Sequence, residues 1–165
     1  MDRLLELCHK ERIVLQYVPL CTTDRKLLGL YVCGPDVYTI LLDVSLKNNY
    51  RKHREVLAEE LGHHFMGINR NFFVLDGFHE YTIVRRDENR ALQWATDFLI
   101  PDKELVYAVS KHSLRSCFEL AEYFDVTQSF MWAKLGFIRS CYRKLGLRIK
   151  SRDIFNMKMV PCAGV

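Results

Sequence analysis

Apolar positions along this chain alternate between two periods. Leu4, Leu5, Leu7 and Cys8 have the spacing of a short amphipathic helix that ends before Ile13. Residues 13–20 are β-branched and apolar, and Pro19 marks an edge or a strand end. Residues 27–33 and 37–42 are two further strands, and Gly34-Pro35-Asp36 between them predicts a hairpin turn.

The pattern then turns helical. In residues 54–65 and just beyond, Val56, Leu57, Leu61, Phe65 and Met66 fall on one buried face, with Asn48 or Asn49 as N-cap and Gly67 as stop. Gly62 inside this helix costs about 1 kcal/mol relative to alanine, which predicts a close neighbour such as a strand. Residues 68–86 are expected to form a loop with an extended portion. Residues 87–99 return to helical spacing and end at Pro101, and 105–109, 114–124 and 130–145 are three more helices. The division that follows is a core over 1–101, a helical extension packed on it over 102–146, and a basic, loosely ordered tail over 147–165.

On the helix of residues 54–65, Glu59 and His63 stand four residues apart, so both side chains rise from one face. Glu60 sits between them, and Glu55 and His64 lie close by. Charged residues on a helix usually form a solvated face. Carboxylates collected beside imidazoles at the edge of a buried face also suit a divalent cation. A metalloprotease helix uses this geometry in His-Glu-x-x-His, where a glutamate base follows the first of two ligands. Here the first ligand position holds glutamate.

Length and charge narrow the picture only slightly. A chain of 165 residues with net charge +4 permits an acidic partner without pointing to nucleic acid. The six cysteines form no Cys-x-x-Cys pair, so a thiolate zinc ribbon is not expected, and free thiols in a cytoplasmic protein are. The first residues lack a basic segment followed by an apolar run, so no secretory signal is expected. The most apolar region, 27–44, is interrupted by Gly34-Pro35-Asp36 and predicts no membrane span.

Three ordered motifs carry a resemblance. Leu57-Ala58-Glu59-Glu60-Leu61-Gly62-His63-His64-Phe65 resembles the active-site helix of the ImmA/IrrE metallo-endopeptidases. Glu88-Asn89-Arg90-Ala91-Leu92-Gln93-Trp94-Ala95 with Leu99-Ile100-Pro101 resembles the second signature of that family. Glu119-Leu120-Ala121-Glu122-Tyr123-Phe124-Asp125-Val126 with Phe130 is similar to the helical pair that follows in phage-type members. The resemblance implies an α+β fold, with a small, mostly antiparallel sheet on a zincin-like helix and a helical C-terminal part. It implies one divalent metal, zinc with manganese as alternative, held by His63, Glu88 and, in place of the family histidine, Glu59. Glu60 is then the general base. His64 is the alternative ligand to His63, and His79, Tyr81 and Tyr50 are candidate donors to a developing oxyanion.

The family also implies a substrate, a helix-turn-helix repressor of a prophage or mobile element, cleaved or inactivated by this anti-repressor. The rival is a relative that sequesters such a regulator without cutting it. A third class is a DNA-binding regulator, since residues 114–124 and 130–145 have a helix-turn-helix outline. A basic segment follows them, with Arg139, Arg143, Lys144, Arg148, Lys150 and Arg152. Direct DNA binding is not expected, because the second helix opens with Ser129-Phe130-Met131-Trp132 instead of base-reading polar side chains.

Overall fold

The computed structural model describes residues 1–20, 27–35, 37–68 and 78–144, with the backbone alone for 78–83 and 142–144. The first part runs α1 (Asp2–Lys10), β1 (Ile13–Val18), β2 (Gly29–Cys33), β3 (Tyr38–Asp43), a 3-10 turn (Val44–Asn48) and α2 (Tyr50–Phe65). It continues with α3 (Phe78–Leu99), α4 (Asp102–Lys111), α5 (Cys117–Phe124) and α6 (Gln128–Lys144). This is an α+β chain with a helical C-terminal part. It divides into two compact units, Met1–Ala95 and Thr96–Val165. The tail expected over 147–165 lies outside the described residues, and no helix among those described is long and apolar enough to cross a membrane.

The expected hairpin forms, with Gly29 opposite Leu42 and Cys33 opposite Tyr38 in an antiparallel pair. The sheet is nevertheless mixed, not mostly antiparallel. Strand β3 lies in the middle, and β1 pairs with it in parallel, Ile13 opposite Tyr38 and Val18 opposite Asp43. Alternation along a strand reveals which face is buried but not which strand lies alongside, so this pairing is invisible locally. The inward row of Tyr31, Ile40 and Leu42 is buried, and α2 packs across β2 and β3. Asp43 closes β3 as a buried carboxylate, accepting hydrogen bonds from Leu20 N (2.7 Å), Ser45 N (2.9 Å) and the Ser45 hydroxyl.

Helix α2 starts where its cap allows. The Asn49 side chain accepts from Lys52 N at 3.1 Å, so of the two asparagines this one caps. At the other end Gly67 takes φ +66°, its N–H bonding to the His64 carbonyl and that of Ile68 to the His63 carbonyl. That is the left-handed stop expected of a glycine just past the helix. Gly62 is crowded by a helix and not by a strand: a methyl group there would overlap the Ala91 carbonyl of α3.

Helix α3 starts at Phe78, well before the expected Asp87, so Tyr81 to Val84 is helical where an extended portion was expected. These β-branched and aromatic residues favour strand locally, and tertiary context overrides them. The helix sets Val84 and Glu88 one turn apart on the same face. Trp94 is half-buried and stacks on Phe65 with ring centroids 4.9 Å apart, and Phe98 is half-buried too.

In the second unit, α5 starts at Cys117 instead of residue 114. Ser116 and Glu119 form a reciprocal capping box there, Glu119 N donating to the Ser116 hydroxyl and Ser116 N to the Glu119 carboxylate. Asp125 turns the chain in the left-handed region (φ 53°), and the Thr127 hydroxyl accepts from Phe130 N to start α6. Leu105, Leu120, Ala121, Val126, Met131 and Leu135 fill this core. Lys134 lies among them, its ammonium 2.6 Å from Asp97 and 2.5 Å from Asp102. Cys8, Cys33 and Cys117 are free thiols, whereas Cys141 is disulfide-bonded, against the expectation of free thiols throughout.

Two helical glycines make a paired test of this packing. Gly62→Ala should lower stability by about 2 kcal/mol despite its better helix propensity, because the backbones of α2 and α3 must separate. Gly136→Ala in α6, where an added methyl meets open space, should raise stability by up to about 1 kcal/mol. Urea unfolding of both variants reads the two signs.

Candidate active site

Half of α2 is buried, and its buried residues include Glu55, Glu60 and His63. Charged side chains this deep need a reason, because removing a carboxylate from water is costly unless it finds partners. One stripe of the helix, Lys52, Val56, Glu59, Glu60 and His63, lines a cleft of about 450 Å³. Leu27, Leu28, Gly29 and Leu30, leading into and along β2, form the facing wall, and Val84 and Glu88 of α3 also line it.

Glu60 is held between helix and strand. An added methyl on Gly29 would lie 2.5 Å from its Oε1 and 2.6 Å from Val56 Cγ1, so only glycine lets the carboxylate sit here. The backbone N–H of Tyr31 donates to it. Burial pushes Glu60 up to about 7; His63 and the Tyr31 N–H pull it down, and the charges of Glu59 and Glu88 add to the rise. A carboxyl tuned to neutrality can take up and release a proton at working pH.

Glu59 is raised as well, chiefly by burial. Lys52 opposes that rise most, while Glu55 and Glu88 reinforce it. His63 Nε2 lies 3.5 Å from Glu88 Oε2. Burial alone would lower the imidazole, but the hydrogen bond it donates to Glu88 and the charges of Glu60, Glu88 and Glu59 outweigh it, and the net shift is upward. Glu88 itself is half-exposed on α3.

The structure therefore brings Glu59, Glu60, His63 and Glu88 to one cleft. His64 turns elsewhere: its Nδ1 is hydrogen-bonded with the Tyr31 hydroxyl at 2.9 Å and its Nε2 lies 3.7 Å from Glu11 Oε2. Tyr50 is exposed, with its hydroxyl 3.5 Å from the N-terminal ammonium, and is not part of the cleft wall. His79 and Tyr81 belong to α3, and their side chains lie outside the described residues. Among the described residues no three His, Cys, Asp or Glu side chains already converge as a metal cage. The donor chemistry nonetheless fits a cation, since one imidazole and three carboxylates share a cleft in which the charge of Glu88 raises both Glu59 and Glu60.

Residue reasoning missed the strand side of this site. Gly29 in a strand is the signal that could have found it, because a glycine there often marks a close approach of another group.

The family profile described as the IrrE N-terminal-like domain of the peptidases matches residues 22–135. The chain belongs to that family. The matched span contains all four cleft residues just named, with β2, β3 and α2 to α5. A comparison with curated proteins finds no match.

Membership and geometry together set a pH test on the metal-free protein. Glu60 at about 7 lies above its unfolded value of about 4.3, so the folded state binds this proton more tightly. The resulting stabilisation is fully present below about pH 4.3 and is lost as pH rises through 7. The upward shifts of Glu59 and His63 have the same sign. In chelator, wild type should lose on the order of 3 kcal/mol between pH 4.5 and 8 from Glu60. Glu60→Gln should lose correspondingly less, and parallel urea midpoints for the two proteins would contradict the assignment.

Proposed function

We propose that the chain is a metal-dependent endopeptidase whose substrate is a helix-turn-helix repressor of a prophage or mobile element. The observation that carries this reading is the buried Glu60, tuned to about 7 in the same cleft as His63, Glu59 and Glu88. The family supports peptidase chemistry in general, and the repressor is our inference from the resemblance.

In this reading His63, Glu88 and Glu59 hold one divalent ion, zinc or manganese. The ion, when bound, polarises the scissile carbonyl and makes water a stronger acid. Glu60 takes a proton from the attacking water and returns it to the leaving amine, which its pKa near neutrality suits. The Tyr31 N–H and the missing side chain at Gly29 hold that carboxylate in place. Without an ion, His63 and Glu88 pair with each other, Nε2 to Oε2 at 3.5 Å.

One observation favours a second reading. The described residues form no ready-made cage, and Glu59 stands where the family pattern has histidine. A relative that sequesters the regulator without cutting it would keep the cleft and need no ion.

Metal content and cleavage separate the two. Protein purified without chelator should carry one divalent ion per chain by elemental analysis, and His63→Ala should lose it. Glu60→Gln should keep the ion and the fold yet fail to cut a repressor that wild type cuts. An ion-free wild type that binds the repressor intact would establish sequestration.

Glu59 has its own test. Two carboxylates and one imidazole neutralise a divalent ion, whereas two imidazoles and one carboxylate leave it one unit positive. Glu59→His should therefore tighten zinc binding in chelator competition and weaken the tolerance for manganese. Unchanged affinities for both metals would place Glu59 away from the ion.

A further inference from the structure

The cleft continues past the catalytic cluster. On α2 its lining residues fall at 52, 56, 59, 60 and 63, a single stripe about three turns long. One end is acidic, with Glu59, Glu60 and Glu88, and the other is basic, with Lys52. Between them the walls are aliphatic: Val56, Leu27, Leu28, Leu30 and Val84. We propose that this cleft selects extended peptides carrying an acidic side chain about three residues from the bond held at Glu60, with Lys52 as the anchor and aliphatic side chains between.

The spacing follows from helix and strand geometry. Lys52 and Glu59 are seven residues apart, roughly 10 Å along the axis. An extended peptide covers that span in about three residues. The ammonium is oriented, not free-swinging: its Nζ lies 3.5 Å from Oε2 of Glu55, a fully buried carboxylate, and the Lys52 side chain remains 34% exposed. An ammonium carries three donors, so one such pairing leaves others for a ligand.

The backbone adds to the same field. The first turn of α2 holds no acidic residue and carries Arg51 and Lys52, where the helix dipole is already positive. Cations at that end cost local stability, and such violations of local preference are expected where function requires them. A peptide cation is repelled there, and an anion is attracted.

This selectivity deepens the endopeptidase reading and relies on it only to locate the cut bond. The test measures binding and cleavage separately on full-length protein. Dye-labelled, end-blocked heptapeptides of Leu, Ala and Ser, with a single Asp, Asn or Lys stepped along them, are titrated by fluorescence anisotropy into zinc-supplemented Glu60→Gln protein. Asp should bind about threefold tighter than Asn at one position, the size expected of a partly exposed ion pair, and Lys should bind more weakly than Asn. Lys52→Gln should erase the preference and Lys52→Glu should invert it. The peptide series on protein that retains Lys52 carries the test if Lys52→Glu fails to fold beside Glu55. Equal binding of Asp and Lys peptides, no binding of either, or a preference that survives Lys52→Gln overturns the inference. Peptides bound with the preference but left uncut by wild type would retire the endopeptidase reading and leave the selectivity standing; cutting without charge preference would do the reverse.

Discussion

Everything in the first unit depends on a carboxylate kept out of water between α2 and β2. Glu60 can occupy that position because Gly29 offers no side chain and because Tyr31 offers a backbone N–H. Burial then does the chemical work of raising its proton affinity to the range where acid and base catalysis meet. The sheet, small as it is, exists in the right place to do this. β3 in the middle fixes β2 at the edge, and the edge backbone faces the helix stripe.

The charges around Glu60 act in opposition. Glu59 and Glu88 raise it while His63 lowers it, and Glu88 raises His63 in turn. Lys52 moderates Glu59 from two turns away. His64 faces away from this cluster, its two ring nitrogens set against the Tyr31 hydroxyl and Glu11.

Local signals made part of this legible in advance. The Gly34-Pro35 turn gave away the hairpin, Asn49 and Gly67 bracketed α2, and four-residue spacing put Glu59 and His63 on one face. What stayed hidden depends on distant parts of the chain. The parallel pairing of β1 joins strands separated by β2, and β-branched residues around Ile83 concealed the early turns of α3. Glu88 was legible only through family resemblance, since helix α3 and not spacing brings it to His63. Lys52 and the aliphatic wall had no motif at all. The capping box at Ser116 and Glu119 was written in the sequence and passed unnoticed.

Gly62 and Ala91 meet where neither helix has a deformable side chain, Gly62 next to the proposed ligand His63 and Ala91 one turn after the proposed ligand Glu88. Rotamer changes can absorb most packing errors in a core, but not a carbonyl resting against a glycine backbone. The separation of the two helix backbones that carry His63 and Glu88 is therefore set by main chain, and only the arms of Glu59 and Glu88 can adjust to ions of different radius. Ionic size, under the proposed reading, is sensed by carboxylate reach across a fixed-width frame.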